Sequence, residues 1–171
     1  PVDMGVDGTT LAGWLADYDP ASITIGVVAS HSSLQILHGA RMEGFRTLGI
    51  AVGEERRRFY SAFPGADPDE WLMLDHYHEL MDHAEWMRER NVIIIPHGSL
   101  VEYLGSDNFR ELQTPTFGNR GILHWESSRE RQRLWLEQGG CNMPRVVHDP
   151  KDIDGPVIVK YAGAKGCLLY T

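Results

Sequence analysis

The length, composition and charge of the chain are those of an ordinary globular protein and exclude several other classes. Its 171 residues can bury a sizeable core and would normally form one domain, or one domain and part of a second. A content of 42% hydrophobic and 23% charged residues excludes a disordered chain, and no apolar run approaches the roughly 20 residues that span a bilayer. The net charge of −8 argues against a general nucleic-acid binder, which would need a basic face.

Basic residues and cysteines add further expectations. The only basic run is Arg56-Arg57-Arg58, which we interpret as part of a solvated turn. Cys141 and Cys167 are too few for a disulfide framework and lack CxxC spacing, which favours a reducing cytoplasm. Residues 1–7 also lack the basic and apolar regions of a secretory signal, so we expect a cytoplasmic location.

The first part of the chain carries the pattern of a strand, a helix and a second strand. Residues 23–29 form a nearly continuous β-branched run, typical of a strand that is covered on both faces, as in a parallel sheet. Ser30-His31-Ser32-Ser33 then supplies helix-capping residues, and apolar side chains follow at helical spacing until Gly44. Residues 47–52 predict the next strand, which completes a βαβ unit.

The same alternation continues along the chain. Residues 71–74 predict a short strand, residues 79–90 a helix, and residues 92–95 a buried strand that stops at Pro96-His97-Gly98-Ser99. In open α/β sheets, ligands bind outside the carboxyl ends of the strands. We therefore expect the two histidine-containing loops, which each follow a strand, to face one crevice.

The pattern changes in the last third of the chain. Residues 120–137 predict a charged helical stretch, a β-type segment follows Pro144, and residues 156–160 predict a further strand. We place a domain boundary within residues 120–130.

The turn Ser30-His31-Ser32-Ser33 is the first candidate binding site. It opens a helix, where free backbone N–H groups and the helix dipole favour a phosphate or a carboxylate. Ser30, Ser32 and Ser33 add hydroxyl donors, and His31 can donate to an anion or read the polar edge of a ring. Helix capping alone would explain a single serine. Three serines and a histidine together favour binding.

The loop Pro96-His97-Gly98-Ser99 is the second candidate. Gly98 permits a close backbone approach or a positive φ, and Ser99 can cap the residues that follow. A purely structural turn is the alternative, and the sequence alone leaves the two interpretations evenly balanced.

A third candidate follows the predicted strand at residues 156–160. Lysine is a natural point charge for phosphate, and glycines let backbone N–H groups close over phosphates. The residues concerned are Lys160, Gly163, Lys165 and Gly166. The segment matches neither the P-loop nor the dinucleotide-binding pattern, and a lysine that ends a strand is often only a surface residue.

A metal site is the weakest of the candidates. His76, His78 and His83 lie near several acidic residues, but they do not form an HExxH motif. We interpret them as a solvated helix start, and no metal-ligating residue is assigned.

Five motifs occur in one order along the chain. They are IGVVASHSSLQILHGARMEGF at residues 25–45, IPHGS at 95–99, FGNR at 117–120, WES at 125–127 and DIDGPVIVK at 152–160. Together they resemble the archaeal PurP family, the 5-formaminoimidazole-4-carboxamide ribonucleotide synthetases of the ATP-grasp superfamily. The resemblance extends over residues 23–166.

This resemblance implies a ligase that uses ATP and Mg²⁺ to join formate to the 5-amino group of aminoimidazole carboxamide ribonucleotide (AICAR). The product is FAICAR, in de novo purine biosynthesis, and a formyl phosphate intermediate is expected. The partners implied are these small molecules, without nucleic acid or membrane, and a homo-oligomer is compatible with the family.

The resemblance also implies roles for individual residues. The histidine of the SHSSL motif and the serine of the PHGS motif contact the ribonucleotide in the family, which implies substrate binding by His31 and Ser99. Secondary candidates for the same substrate are Ser30, Ser32, Ser33 and His97. The lysine of the VIVK motif binds ATP phosphates, which implies ATP binding by Lys160, Gly163, Lys165 and Gly166.

The resemblance predicts an α/β fold with a Rossmann-like, parallel-sheet pre-ATP-grasp domain followed by the beginning of an ATP-grasp domain. The expected divisions are an N-terminal segment with a short helix at residues 1–22, a ribonucleotide-binding domain at 23–125 and the start of the ATP-grasp domain at 126–171. The chain departs from the family after Gly166, and Ala162 replaces an expected proline. A truncated reading frame, a frameshift or an excised fragment would each explain the departure.

Three interpretations of function therefore stand side by side. The first is an N-terminal portion of an AICAR-formylating ligase that is inactive alone, because the family's Mg²⁺-binding acidic residues are expected beyond this segment. The second is a binding module for a nucleoside monophosphate without catalysis. The third is an ATP-grasp ligase that acts on a different carboxylate and amine, and a purely structural role is the least favoured.

Overall fold

The computed structural model describes residues 5–159 of the chain. Two compact units divide the chain, Pro1–Gly121 and Ile122–Thr171, and each is described by itself. Within the described part, no helix has the length and apolar character needed to cross a membrane. The division of residues 1–22, 23–125 and 126–171 among three functional segments stays a prediction.

A four-stranded parallel sheet organises the first unit. The strands are β1 (Thr24–Val28), β2 (Arg46–Val52), β3 (Glu70–Leu74) and β4 (Val92–Ile94), in the spatial order β3-β2-β1-β4. The central strand β1 pairs with both neighbours, so that Thr24 lies opposite Arg46 on one side and Val92 on the other. The predicted α/β, Rossmann-like parallel sheet is therefore confirmed.

Helices connect and cover these strands. They are α1 (Gly8–Ala16), α2 (Ser33–Met42), α3 (Glu54–Ser61), α4 (Ala84–Arg88), α5 (Gly98–Leu104) and α6 (Ser106–Glu111), with 3₁₀ turns at Pro20–Ser22 and Tyr77–Met81. Asp7 caps α1, because its carboxylate accepts from the Thr10 N–H at 2.8 Å. After α2, Gly44 adopts a φ of 81°, a left-handed conformation that suits glycine and turns the chain toward β2.

The core lies on both faces of the sheet, which explains the continuous apolar runs in the strand sequences. Leu37 of α2 packs against Val27 of β1, and both side chains are fully buried. Gly26 allows β1 and β4 to approach closely, because a Cβ there would lie 2.7 Å from Cγ1 of Val92. The other fully buried side chains include Leu48, Ile50, Leu80, Met87, Ile94, Leu100, Phe109 and Leu112.

The predicted helix over residues 79–90 is wrong in its extent. The structure has the 3₁₀ turn Tyr77–Met81 and then the short helix α4, separated at His83. His83 occupies the N-cap position of α4 with φ −93° and ψ 9°. The apolar spacing across this stretch suits one helix, but two successive turns bury the same residues, Leu80 and Met87, equally well.

The second unit contains α8 (Arg129–Gln138) and a 3₁₀ turn at Pro150–Asp152, and α7 (Arg120–Glu126) begins at the end of the first unit. The predicted helical stretch over 120–137 is therefore interrupted. Ser128 is extended, with φ −118° and ψ 123°, and its hydroxyl accepts from the Arg131 N–H. Ser128 thus caps α8, and its extended backbone separates α8 from α7.

Two predicted β segments near the end of the described residues are not strands. The segment after Pro144 is irregular, and so are residues 156–159, where Ile158 and Val159 are 84% and 83% exposed. A strand needs a neighbouring strand to complete its hydrogen bonds, and no described segment pairs with these residues. The predicted start of an ATP-grasp domain stays a prediction.

Candidate functional site at the carboxyl edge of the sheet

The strand order places a topological switch point between the loops that follow β1 and β4, where a ligand-binding crevice is expected. From β1 the chain proceeds to β2 and β3, and it then returns to place β4 on the opposite side of β1. Connections therefore leave the carboxyl ends of β1 and β4 in opposite directions, which is the topological switch point where open α/β sheets bind ligands. The two histidine-containing loops, residues 30–33 and 96–99, flank this point.

The serines of the first loop have different surroundings. Ser33 is fully buried, and its hydroxyl donates to the Ser30 carbonyl at 2.6 Å and accepts from the Ser30 N–H at 3.1 Å. Ser32 occupies the N-cap position of α2, but its side chain makes no capping hydrogen bond. The structural role that the sequence allowed for one serine therefore belongs to Ser33.

The Ser30 side chain is the notable group of this loop. Ser30 is only 1% exposed, and its hydroxyl has no hydrogen-bond partner among the described residues. A buried hydroxyl without a partner costs on the order of 1–3 kcal/mol, which a ligand hydrogen bond would recover. The neighbouring His31 is exposed at the surface of the same turn.

His97, which follows β4, holds a defined orientation. Its Nε2–H donates to the Val28 carbonyl at 2.9 Å, and its Nδ1 is buried without a partner within residues 5–159. Burial lowers the pKa of His97 below 6.5, the hydrogen bond to Val28 opposes that shift, and the charge of His31 adds to it. The ring is therefore neutral at pH 7 and presents Nδ1 as a hydrogen-bond acceptor.

His97 lies against the end of β1, because its ring donates to the carbonyl of Val28, two residues before Ser30. Ser99 lies half-buried in the first turn of α5, on the His97 side. Gly98 does not have the positive φ that the sequence allowed, and a Cβ at Gly98 would meet no atom within 4 Å. The structure thus brings the His97 loop to the end of β1, which the His31 loop follows, while the binding roles of His31, His97 and Ser99 stay predictions.

Arg56 also lies beside the loop that follows β1, which the sequence did not lead us to expect. Its Nη1 donates to the Ala29 carbonyl at 2.9 Å and to the Tyr103 hydroxyl at 3.4 Å. The interpretation of Arg56-Arg57-Arg58 as part of a solvated turn is therefore wrong, because all three lie in helix α3 and Arg56 is half-buried. A usable signal was present, because Glu54 can reach the arginines three and four residues later but not the one two residues later.

The remaining candidates take no part in the described site. Lys160, Gly163, Lys165 and Gly166 lie outside the described residues. His76 and His78 are exposed. Within residues 5–159, no group of three or more histidine, cysteine or acidic side chains is arranged to hold a metal ion.

Comparison with known proteins places the chain in a family. The sequence profile of a family described as "Protein of unknown function (DUF1246)" matches residues 25–147, which is more than half of the chain. The matched region contains both loops of the crevice.

Curated relatives carry a more specific name, 5-formaminoimidazole-4-carboxamide-1-(beta)-D-ribofuranosyl 5'-monophosphate synthetase. The relative from Methanosarcina acetivorans is 59% identical over 153 residues, which cover 90% of this chain and 43% of the relative. Those from Korarchaeum cryptofilum and Archaeoglobus fulgidus are 50% and 44% identical, over 89% and 95% of this chain. The chain thus spans less than half the length of these relatives. It belongs to the DUF1246 family, and the predicted resemblance to the archaeal PurP synthetases is confirmed.

Proposed function

We propose that the crevice between the loops after β1 and β4 binds AICAR in a ligase that forms FAICAR from AICAR and formate with ATP. The names of the relatives support this proposal, since each is the synthetase of the formylated ribonucleotide. The motifs shared with the family extend over both loops of the crevice.

One observation carries the proposal: two buried polar atoms without partners lie on opposite sides of the switch point. They are the hydroxyl of Ser30 and Nδ1 of His97. Leaving both atoms unpaired is costly, so a ligand that carries hydrogen-bond donors stabilises the site. Helix α2 begins beside Ser30 and is ten residues long, and its N-terminus favours a negatively charged group.

AICAR carries the groups that such a site requires. Its amine and carboxamide present N–H donors, which suit the acceptor lone pair of His97 Nδ1. Its phosphate is an anion that suits the start of α2. Ser30 can donate to an acceptor of the ligand or accept from a ribose hydroxyl. The neutral state of His97 matters here, because a protonated ring would have no acceptor to offer.

The described residues account for the ribonucleotide half of the proposed reaction. In the proposed ligase, ATP would transfer its γ-phosphate to formate, and the 5-amino group of AICAR would then attack the formyl carbon and displace inorganic phosphate. The predicted ATP-binding residues begin at Lys160, outside the described part, and residues 5–159 contain no cluster that fits Mg²⁺. We therefore assign to this unit only the binding and orientation of AICAR.

Calorimetric titration of the 171-residue chain with AICAR tests the proposal. His31→Ala and Ser99→Ala should each weaken binding about 10-fold or more, the loss typical of one polar contact to a ligand. The matched controls are His78→Ala, an exposed histidine, and Ser106→Ala, a half-buried serine at the start of α6. Unchanged affinity in both test variants would show that the two loops do not form the binding site.

A further inference from the structure

The three consecutive arginines of α3 have different environments. Arg57 pairs with Glu54 at 2.5 Å, and Arg58 pairs with the same carboxylate at 3.3 Å. Arg56 lies two residues after Glu54 and therefore points to another side of the helix. It is half-buried and pairs with no carboxylate among residues 5–159. Arg56 is thus a cation whose charge is not neutralised by the described protein.

The Arg56 side chain reaches over the end of β1. Its Nη1 donates to the carbonyl of Ala29, the residue directly before Ser30, and to the hydroxyl of Tyr103 in α5. These bonds use one of its nitrogens, and within the described part Nε and Nη2 donate to no acceptor. A guanidinium has five N–H groups in a planar fork that matches two oxygens of a phosphate. Arg56 therefore retains donors beside the candidate site.

Tyrosines complete the surroundings of this guanidinium. The guanidinium lies 5.2 Å from the ring centre of Tyr103, which stacks on Tyr77 at 4.5 Å. The Tyr77 hydroxyl is buried and has no hydrogen-bond partner in the described residues. Burial raises the pKa of Tyr77 above 10, although Arg56 opposes the shift, so the hydroxyl keeps its proton and can donate. The cluster combines an unneutralised cation with an unused donor.

We propose that Arg56, assisted by the Tyr77 hydroxyl, binds the phosphate of the ribonucleotide in the crevice. This inference rests on the proposed function, since it names the residue that recognises one group of the same ligand. The net charge of −8 disfavours anionic ligands, so a cation beside the start of α2 would strengthen the binding of one. A phosphate would neutralise Arg56 and satisfy the free donors of both side chains.

The competing explanation is that Arg56 only joins α3 to β1 and α5 through its two hydrogen bonds. That explanation predicts that substitution of Arg56 weakens the binding of every ligand by the same factor. Phosphate recognition instead predicts that the substitution weakens the binding only of ligands that carry the phosphate. AICAR and the riboside that lacks its phosphate therefore separate the two explanations.

The experiment measures the affinities of AICAR and its riboside for the full chain and for Arg56→Met, Arg56→Lys and Tyr77→Phe. Arg56→Met should weaken AICAR binding about 10- to 100-fold and change riboside binding less than about twofold, as expected for charge-assisted hydrogen bonds. Arg56→Lys should lose less, and Tyr77→Phe should weaken AICAR binding a few-fold. The control is Arg58→Met, whose side chain is 77% exposed and which should bind both ligands like the original chain.

Each of the other possible results contradicts either the role of Arg56 or the proposed function. Equal losses for AICAR and its riboside in Arg56→Met would overturn the inference in favour of the structural role, and unchanged AICAR affinity would overturn it outright. If the original chain binds neither AICAR nor its riboside, the proposed function fails. Inorganic phosphate then provides a separate test, because it should raise the melting temperature of the original chain but not that of Arg56→Met. Equal stabilisation of both chains by phosphate would contradict the role of Arg56.

Discussion

His97 is the residue whose ionisation connects stability with the candidate site. Its pKa is lowered mainly by burial, so protonation is easier in the unfolded chain, where the ordinary value of 6.5 applies, than in the folded one. The unfolded state therefore binds more protons between the two pKa values. Stability is fully present above the unfolded pKa and is lost as the pH falls through the folded pKa.

We predict that substitution of His97 removes this part of the pH dependence. Urea unfolding at about pH 7.5 and about pH 5.5 should show a smaller difference in His97→Gln than in the original chain, because glutamine can donate to Val28 but does not titrate. An unchanged difference would show that the burial of His97 does not determine its protonation.

At the residue scale, the sequence predicted which loops flank the switch point better than it predicted the hydrogen bonds within them. The positions of His31, Ser99 and the serine turn followed from strand ends and helix starts, which are local patterns. The different hydrogen bonding of Ser30 and Ser33 could not be predicted from such patterns. It depends on which of the two hydroxyls bonds to the backbone of the turn. Helical spacing likewise shows on which side of α3 Arg56 lies. It does not predict the hydrogen bond of Arg56 to the Ala29 carbonyl, 27 residues earlier.

At the scale of elements, the close pairing of β1 and β4 depends on Gly26. An alanine there would place its Cβ 2.7 Å from Cγ1 of Val92, so that the valine side chain or the backbone would have to shift. We predict that Gly26→Ala lowers the free energy of unfolding by about 1–3 kcal/mol, the usual cost of overpacking a core. Urea denaturation measures the change.

Gly39→Ala is the matched control for this prediction. Gly39 lies within α2, where an added Cβ meets no atom within 4 Å. Alanine should therefore raise the free energy of unfolding by about 0.5–1 kcal/mol. Equal effects of the two substitutions on the free energy of unfolding would mean that Val92 does not restrict the size of the side chain at residue 26.

Within the first unit, strands were predicted more reliably than helix ends, for a physical reason. The β-branched runs of β1, β2 and β4 are buried on both faces, so their composition alone identifies them. Residues 77–88 carry helical spacing that a 3₁₀ turn and a short helix satisfy equally, so the break at His83 was not predictable from periodicity. Residues 156–159 have strand composition, but pairing with a neighbour decides whether a strand forms.

At the scale of the whole molecule, the chain spans 43% of the Methanosarcina acetivorans synthetase that it resembles. The described residues supply a candidate ribonucleotide site and no cluster suited to a metal ion. We predict that the purified 171-residue chain binds AICAR but forms no FAICAR when ATP, Mg²⁺ and formate are added. Chromatographic detection of FAICAR measures this, and accumulation of the product beyond one equivalent would contradict the prediction.

A crystal structure of the chain grown with saturating AICAR would show directly whether AICAR binds at the switch point between β1 and β4. We predict electron density for the nucleotide between the Ser30 hydroxyl and Nδ1 of His97, with both atoms within hydrogen-bond distance of it. Density for AICAR at another place on the chain, or an empty crevice at a concentration that saturates the titration, would contradict the claim.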